Sequence, residues 1–524
     1  MSFETSGLSI DTLLDIILMK LSEDAICAKY YSDSKFQKLD IKTSRVLAQV
    51  RFTRNTLSPV HTLPPETLAI IFQYVLDDCF GPNSAPREDF YKWTAITRVC
   101  RYWRESALSF ATLWSTVSMG NLPAAVISIE RSRGTLLDIY VPSHQPLNGV
   151  WDKIRDHMPR VRKLAAKVYH LDTLKTSLGS PILAPNLQTL DIHKIGTQDR
   201  PLPLLFDWSI PNLSSVRLSG ISDWKPNHFA GLKQLSIENV HQALPLGNLL
   251  DILEANPTLE YLELWHAEPT AELTLRHITL PNLRLLKFSS GSPRQLLESI
   301  SLPSTCRMEL TSMVLDPSNR SIFECSLPSE SRSFPNIKDV GKLKINIGDG
   351  VDGIEISGAA SSSTFRLQVS SMARTLIQST LSSFGPLSAA SIREVSVQGC
   401  HTLEYPDPEA WKPLLGSMTS LETLWLVKSD CDPVLQVLGA DSRLLPSMRS
   451  LRVCSDRLPS PQAVRKMAQA RRDQGHPIEH LLVACCPEDA ESWNGLVDVF
   501  GVVDVVRPRD FPVMLLDEST KFEA

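Results

Sequence analysis

The sequence predicts a mixed fold class, with an all-helical amino-terminal part followed by an α/β part built from stacked strand units. Three observations lead to this prediction. Apolar residues recur at helical spacing through the first hundred or so residues, and a short aliphatic unit recurs from Leu187 onward. The chain has 524 residues, which is long enough for two or more domains. The predicted boundaries are 1–58 for a helical leader, 59–120 for a compact helical unit, 121–507 for the domain of repeated units, and 508–524 for a terminal strand and tail.

The leader contains two apolar stripes at helical spacing. The first stripe is Ile10, Leu13, Leu14, Ile17, Leu18 and Leu21, and the second is Val46, Leu47 and Val50, continuing toward Leu57. Ser58-Pro59 ends the second stripe, because a proline disfavours helical backbone at the residue before it. Two interpretations of these helices are open. Either they pack on the helical unit that follows, or the first stripe mediates self-association.

The helical unit begins with Pro65, in a first turn where the missing N–H of proline does no harm. The apolar residues that follow at i, i+3, i+4, i+7 and i+8 are Leu68, Ile71, Phe72, Val75 and Leu76. A second periodic run consists of Trp93, Ile96, Val99, Cys100, Trp103 and Ala107, with Leu113, Trp114 and a short strand after it. The segment between Leu76 and Trp93 contains Gly81, Pro82 and Pro86, and is predicted to be a surface loop.

The order of residue types in this unit is distinctive. It reads Leu63-Pro64-x-Glu66, then Ile71-Phe72, then Val99-Cys100-Arg101-x-Trp103-Arg104, then Leu113-Trp114-Ser115. This order resembles the F-box, and most resembles the F-box-like proteins common in fungi, although the loop after Leu76 is longer than in a standard F-box. The resemblance implies a three-helix F-box that binds the Skp-type adaptor of a cullin–RING ubiquitin ligase. The residues implied to form or support that contact are Leu63, Pro64, Leu68, Ile71, Phe72, Val99, Cys100, Trp103, Leu113 and Trp114.

The aliphatic unit recurs eight times. Its copies begin at Leu187, Leu213, Leu232, Leu259, Leu283, Leu421, Met448 and Ile478, and most read aliphatic-x-x-aliphatic-x-aliphatic. The pattern resembles the leucine-rich repeat, in which each unit supplies one short strand and neighbouring units stack into a solenoid, here a divergent horseshoe. The last inward position is mostly Ile or Val, so the asparagine of the regular repeat is missing there. An ordinary α/β domain whose strands imitate the repeat is the alternative.

Other segments give weaker signals. Strands are predicted around Leu136, Ile139 and Val141, at Phe365, Leu367 and Val369, and at Val513–Leu516. Helices are predicted for 150–157 and 461–472, and a further repeat unit could open at Phe334-Pro335-Asn336-Ile337. The GDGVDG stretch at 348–353 is interpreted as a turn, because it lacks the ligand spacing of a calcium loop.

Composition and motifs exclude several classes of function. The net charge is −5, so a nucleic acid is a poor candidate partner. No uncharged run is long enough to span a membrane and no signal peptide is recognised. The ten cysteines include no C-x-x-C, which favours a reducing compartment and a cytoplasmic or nuclear location. Catalytic and phosphate-binding motifs are missing, Cys100 is expected to pack, and the histidines lack metal spacing. We therefore expect no metal, no cofactor and no enzymatic activity.

Together these features predict the substrate-recognition subunit of a Skp–cullin–F-box ubiquitin ligase. The F-box would bind the adaptor, and the repeat domain would bind a protein target through the strand positions that alternate with the inward aliphatics. Those positions include Asp191, Arg217 and Lys287, and the candidate target-binding residues Tyr261, Glu263, Trp265 and Trp425. The alternative for the aromatic residues is that a neighbouring loop covers them. The alternative function is an F-box and repeat scaffold that does not deliver substrates for ubiquitination.

Overall fold

The computed structural model describes residues 9–26, 33–80, 90–142, 147–179, 182–196, 200–206, 210–225, 227–241, 244–270, 276–312, 326–327, 339–347, 353–360, 363–370, 391–399, 408–427, 432–441, 443–455, 458–512 and 514. The chain divides into two compact units. Unit 1 comprises Met1–Ser115 and Ser128–Arg133, and unit 2 comprises Thr116–Ile127 and Gly134–Ala524. Unit 1 contains the predicted leader, 1–58, and most of the predicted helical unit, 59–120.

Unit 1 is helical. Its elements are α1 (Ile10–Ile26), α2 (Asp33–Thr56), a 3₁₀ helix (Pro59–Thr62), α3 (Pro65–Asp77), a 3₁₀ helix (Phe90–Arg98), α4 (Arg101–Ser109) and a 3₁₀ helix (Ala111–Trp114). The predicted break at Ser58-Pro59 lies two residues after the end of α2. The periodic run that begins at Trp93 is not one helix. It breaks at Cys100, whose backbone is extended with φ −157° and which caps the N-terminus of α4.

The core of unit 1 is built from one side of α3 and from the aromatic residues that follow it. The buried residues are Leu68, Phe72, Leu76, Phe90, Trp93, Ile96, Ala107, Leu113 and Trp114. Two contacts show the packing directly. The rings of Trp93 and Trp114 meet edge to face at 4.8 Å, and the indole N–H of Trp114 donates to the Ala107 carbonyl at 2.9 Å. Because the indole donor is paired inside the unit, Trp114 can be fully buried without an unpaired polar group.

Unit 2 alternates strands with helices, and α5 runs across the boundary between the units in the chain. The strands are β1 (Thr116–Ser118), β2 (Leu137–Val141), β3 (Val161–Val168), β4 (Thr189–Lys194), β5 (Ser215–Ser219), β6 (Gln234–Glu238), β7 (Tyr261–Trp265), β8 (Ile278–Thr279), β9 (Leu285–Ser290), β10 (Ile300–Ser301), β11 (Arg307–Ser312), β12 (Lys342–Ile347), β13 (Gly353–Ala359), β14 (Thr364–Ser370), β15 (Glu394–Gly399), β16 (Thr423–Val427), β17 (Ser450–Cys454), β18 (His480–Ala484) and β19 (Val502–Val506). The helices are α5 (Leu122–Arg131), α6 (Leu147–Arg155), α7 (Asp172–Leu178), α8 (Leu246–Glu254), α9 (Arg294–Ser299), α10 (Pro408–Ser417), α11 (Asp432–Ala440), α12 (Pro461–Asp473) and α13 (Ala490–Asn494), with 3₁₀ turns at Met158–Arg160, Pro487–Asp489 and Pro508–Asp510.

All strands except β8 and β10 belong to one large, mostly parallel sheet. Parallel pairing runs in chain order from β1 to β7 and continues through β9 to β11. It resumes from β12 through β15 to β19. Between these stretches, β14 pairs with β11, and β13 lies antiparallel between β14 and β12. The described residues therefore form helices with a large parallel sheet, and this sheet does not close into a barrel.

The eight predicted repeat copies lie on eight strands. The register aligns them position by position, so that Leu190, Val216, Leu235, Leu262 and Leu286 lie side by side on β4, β5, β6, β7 and β9. All five side chains are buried. The predicted strand at 365–369 is confirmed as β14. The segment 334–337, most of the stretch 348–353 and most of the predicted strand at 513–516 lie outside the described residues.

Exposed asparagines tie successive strand units together along one edge of the repeats. The side-chain amide of Asn186 donates to the Pro159 carbonyl at 2.7 Å. Asn212 makes the same bond to Pro185 at 2.7 Å. The third member of the series is Asn282, which donates to the Pro257 carbonyl at 3.0 Å. Each of these asparagines lies in a Pro-Asn-Leu segment, at 185–187, 211–213 and 281–283, whose leucine begins a repeat copy. These segments thus carry a side-chain hydrogen bond to the preceding repeat copy or, for Asn186, to the turn before β3.

Two buried asparagines each make several bonds of this kind. Asn256 is 1% exposed. Its amide nitrogen donates to the carbonyls of Phe229 and Ile252, both at 2.7 Å, and its oxygen accepts from the Leu232 N–H at 2.7 Å. Asn227 precedes strand β6 as Asn256 precedes strand β7, and it accepts from the backbone N–H of Leu205 at 2.9 Å. Buried side-chain amides therefore satisfy backbone groups between units, from positions that the repeat pattern does not mark.

Candidate functional site

The exposed side of α3 is the most distinctive surface of unit 1. Leu68, Phe72 and Leu76 face the core and are fully buried. A second apolar stripe on the same helix remains exposed, with exposed fractions of 60% for Ile70, 39% for Ile71, 70% for Tyr74 and 37% for Val75. A helix that is apolar on most of its circumference is normally buried on every side. Here one of its two apolar faces has no cover among the described residues, as expected for a surface that binds another protein.

The structure separates the ten predicted adaptor-contact residues into three groups. Buried core residues are Leu68, Phe72, Leu113 and Trp114; half-buried residues are Leu63, Cys100 and Trp103; exposed residues are Pro64, Ile71 and Val99. The four core residues support the fold of unit 1 and do not reach its surface. This burial corrects the prediction that Leu68 and Phe72 belong to the contact patch. Leu113 and Trp114 were predicted to complete the contact or to support it from the core, and they take the second of these positions. Ile71 and Val99 stay candidates for direct contact, together with Pro64.

Helical periodicity alone misses Ile70 and Tyr74, the two most exposed apolar side chains of α3. The predicted stripe grouped Leu68, Ile71, Phe72, Val75 and Leu76 as one face. That stripe combines the buried residues Leu68, Phe72 and Leu76 with Ile71 and Val75, which border them and are partly exposed. The missed residues lie on the opposite side of the helix, spaced four residues apart. The sequence did contain a signal for these residues. Ile70 and Tyr74 form an apolar pair at i and i+4 on the side of α3 that the predicted stripe left as polar.

Backbone and side-chain bonds position the residues around Leu63. The Tyr102 hydroxyl donates to the Leu63 carbonyl at 2.6 Å, which fixes the residue just before α3. The Sγ atom of Cys100 accepts from the Trp103 N–H at 3.5 Å and lies 3.4 Å from the Nε2 atom of His61. Cys100 was expected to pack on the apolar side of a helix. It instead caps the N-terminus of α4.

Val99 and Cys100 also border an open groove within unit 1. Its volume is about 1120 Å³, and α2 forms most of its wall. The lining includes Phe52 and Leu57 with Arg45, Arg51, Arg54 and Arg101. Arg101 is paired with Glu105 at 2.8 Å. The groove thus combines apolar and basic side chains, and it carries no group suited to covalent chemistry other than the Cys100 thiol.

In unit 2, the strand positions that alternate with the buried aliphatics form a polar face of the sheet. Tyr261 and Trp265 lie on this face of β7, 39% and 47% exposed. Glu263 lies between them and is half-buried. A shallow pocket of about 230 Å³ is lined by Arg217, Ser236, Tyr261, Glu263 and Lys287. Three of the four predicted target-binding residues, Tyr261, Glu263 and Trp265, therefore lie on one strand, and their role stays a prediction.

Acidic and basic side chains of neighbouring strands form ion pairs around this pocket. Arg217 on β5 lies 3.3 Å from Glu238 on β6, and Lys287 on β9 lies 3.4 Å from Glu309 on β11. The Ser236 hydroxyl donates to Glu238 at 2.9 Å. Desolvation by burial is the main influence on Asp191 of β4 and raises the pKa of its carboxyl, although Arg217 opposes this. A partner for this face must match both signs of charge.

Trp425 must be removed from the candidate surface. Its side chain is 3% exposed. The indole N–H donates to Glu394 at 2.7 Å, the Arg452 guanidinium stacks over the ring at 4.3 Å, and Phe511 meets it edge to face at 5.8 Å. The chain's own residues cover Trp425, so the alternative considered for the aromatic residues holds at this position.

No feature of the described residues points to metal chemistry, and no group of three or more His, Cys, Asp or Glu side chains there could hold a metal ion. His193 on β4 has a pKa lowered mainly by desolvation. Burial raises the pKa of the Cys306 thiol to about 12. Such a thiol is a poor nucleophile at neutral pH, because the thiolate is the reactive form. Within the part of the chain that the structure describes, no helix is long and apolar enough to cross a membrane.

The chain was compared with models of known protein families and with curated proteins. Neither comparison gave a match.

Proposed function

We propose that this protein is the substrate-recognition subunit of a Skp–cullin–F-box ubiquitin ligase. Unit 1 would act as an F-box that binds the Skp-type adaptor, and through it a cullin. Unit 2 would be a divergent leucine-rich-repeat solenoid that holds a protein target for ubiquitination, in the cytoplasm or nucleus. The protein itself would carry out no catalysis. The observation that supports this proposal most is the second, exposed apolar stripe of α3, next to the residue order that resembles the F-box.

The stripe has the composition of a binding surface with anchor residues. Tyrosine is enriched among the residues that dominate binding energy at interfaces, and Ile70 beside it supplies apolar area without charge. Full burial of Ile70, Ile71, Tyr74 and Val75 would contribute several kcal/mol, because a buried aliphatic side chain contributes about 1.5–3 kcal/mol. That gain is available only in a complex, since the described residues of unit 1 leave this stripe open.

The proposed target site is the polar face of the sheet around β7. Tyr261 and Trp265 provide exposed aromatic area, and Arg217, Glu263 and Lys287 provide charges on both sides of the pocket. A folded or extended protein segment with alternating charge and an apolar side chain would complement this arrangement. In support of a repeat architecture, equivalent positions of successive units pair in register, and side-chain amides of Asn186, Asn212 and Asn282 bond to the preceding unit. The antiparallel β13 interrupts the regular series, as a divergent array would allow.

The adaptor proposal is tested by co-expressing the full chain with a fungal Skp-type adaptor. The variant Ile70→Ala/Tyr74→Ala removes the two most exposed anchors of the stripe. Alanine is the best helix former, so the fold of α3 is retained. Because truncation of an anchor residue commonly weakens binding by 1 kcal/mol or more, we expect an affinity loss of about 30-fold or greater for the pair. The measurement is calorimetric or surface-based titration with purified adaptor.

A matched control is available in the same chain. Ile127→Ala/Tyr169→Ala removes the same two residue types from positions 43% and 53% exposed on unit 2. This control should bind the adaptor as the unmodified chain does. Equal adaptor affinity for all three proteins would contradict the assignment of the α3 stripe. If the adaptor binds but no cullin co-purifies, the scaffold alternative replaces the ligase subunit.

A further inference from the structure

The leader helices expose an unusual amount of apolar surface. On α1 the exposed side chains are Ile16, Ile17, Leu18 and Met19, and on α2 and just after it they are Phe36, Ile41, Val46, Leu47, Val50, Phe52 and Leu57. None of these residues belongs to the buried core of unit 1. Soluble chains rarely leave so many large apolar side chains together on the surface, and such patches mark interaction sites.

The two stripes do not cover each other within the chain. Ile17 and Leu18 of α1 remain 45% and 61% exposed, and Val46 and Val50 of α2 remain 47% and 45% exposed. On α2 and the turn after it, residues spaced alternately by three and four form a seam. The seam is Phe36, Leu39, Thr43, Val46, Val50, Thr53 and Leu57. This heptad spacing favours packing against another helix along its whole length.

The two helices carry opposite charge. The sequence of α1 has four acidic residues and one lysine, whereas that of α2 has six basic residues and two aspartates. Asp11 and Asp15 lie one turn apart on α1, and Arg51 and Arg54 lie one turn apart on α2. None of these four side chains forms an ion pair with a described residue. Pairing α1 with another α1, or α2 with another α2, would bring like charges together.

We propose that the protein forms a homodimer in which α1 of each copy packs against α2 of the other. The apolar stripes would be buried between the helices, with the acidic flank of α1 against the basic flank of α2. The arrangement is two-fold symmetric, so the same contact forms twice. The two helices of each copy are 17 and 24 residues long, which is enough length for an interface of standard size with roughly 20–30 residues a side. The proposal does not depend on adaptor binding.

The first experiment measures the mass of the full chain by light scattering at about 10 µM, a concentration at which a micromolar dimer is well populated. The unmodified protein should have twice the chain mass of 58.4 kDa. The variant Asp11→Lys/Asp15→Lys changes the net charge of α1 from −3 to +1. The variant Arg51→Glu/Arg54→Glu changes that of α2 from +4 to zero by reversing the two arginines near its C-terminus. Each should weaken dimerisation by about tenfold or more, because attractive pairs become repulsive in both copies of the contact.

Mixing the two variants distinguishes an α1–α2 contact between two copies from an α1–α2 contact within one chain. In a mixed dimer, the two lysines introduced into α1 of one variant face the two glutamates introduced into α2 of the other, and the two unmodified helices face each other as before. Both contacts are then complementary, so an equimolar mixture should regain the dimer mass. If α1 and α2 instead paired within one chain, mixing the two variants would leave the measured mass of each unchanged.

A matched control reverses two exposed acids elsewhere. Glu488→Lys/Asp489→Lys changes the net charge by the same amount as the α1 variant, and both residues are exposed on unit 2. This control should remain dimeric. A monomeric unmodified chain, a dimer that survives in both helix variants, or a mixture that stays monomeric would each overturn the proposal.

Discussion

Replacing Asn256 tests whether the strand units are held together by buried side-chain amides. Asn256 lies after α8 and is 1% exposed. Its amide group bonds to the backbone of Phe229 and Leu232 in the preceding unit and of Ile252 in its own. Alanine at this position removes all three bonds. The Phe229 carbonyl and the Leu232 N–H are then left in a buried site without their partner.

The size of the effect follows from the number of buried polar groups that lose their hydrogen-bond partner, which are the Phe229 carbonyl and the Leu232 N–H. A buried donor or acceptor left unsatisfied costs about 1–3 kcal/mol. Two such groups predict that Asn256→Ala lowers the free energy of unfolding of unit 2 by about 2–6 kcal/mol. With a urea dependence near 3 kcal/mol per M, the unfolding midpoint should fall by about 1–2 M.

The assay is urea unfolding followed by hydrogen exchange and mass spectrometry of peptides from both units. Peptides from unit 2 should show the lowered midpoint, while peptides from unit 1 should keep the midpoint of the unmodified protein. Asn282→Ala is the matched control, since Asn282 is exposed and donates only to the Pro257 carbonyl. Water can replace that bond, so the control should change stability by less than about 1 kcal/mol. Equal midpoints for the two asparagine variants would refute this reasoning.

Two further predictions follow from the titratable groups of unit 2. Cys306 is fully buried, and its thiol has a pKa of about 12. Iodoacetamide at pH 8 should therefore modify the exposed Cys486 and leave Cys306 intact until urea unfolds the chain, as measured by peptide mapping. Modification of Cys306 before unfolding would contradict its burial. The raised carboxyl pKa of Asp191 means that its stability contribution is present at low pH and is lost as the pH rises through the folded pKa. Asp191→Asn should therefore raise the thermal unfolding midpoint at pH 7 by more than at pH 4, and an equal change at the two pH values would contradict this reasoning.

Local patterns in the sequence located most elements correctly. The proline at 65 and the periodic apolar residues from Leu68 to Leu76 marked α3, and the aliphatic spacing marked the eight strands between β4 and β18 that carry the repeat copies. These predictions succeeded because helix and strand periods depend on residues close together in the chain. The strand pairing between β11 and β15 was harder to predict. There β14 pairs with β11 while β12 pairs with β15, and no local pattern encodes which distant strands become neighbours.

The candidate surfaces were predicted less completely, because composition does not state which side of an element is covered. Leu68 and Phe72 were assigned to a contact surface and are core residues, whereas Ile70 and Tyr74 were missed and are exposed. Trp425 occupies the strand position equivalent to that of Glu263 on β7, which is half-buried. Arg452 and Phe511 nevertheless cover it, and Phe511 lies far away in the sequence.

By itself, the sequence determined a helical amino-terminal part, a later part with strands at the recurring aliphatic spacing, and the residue order that resembles an F-box. These features follow from periodicity and composition, which act over a few residues. The tertiary structure decided which apolar residues of α3 form the core and which remain exposed, which aromatic residues of the sheet are covered, and which asparagines join neighbouring units. Those outcomes depend on burial and hydrogen bonding between segments distant in sequence, and such contacts exist only once the chain has folded.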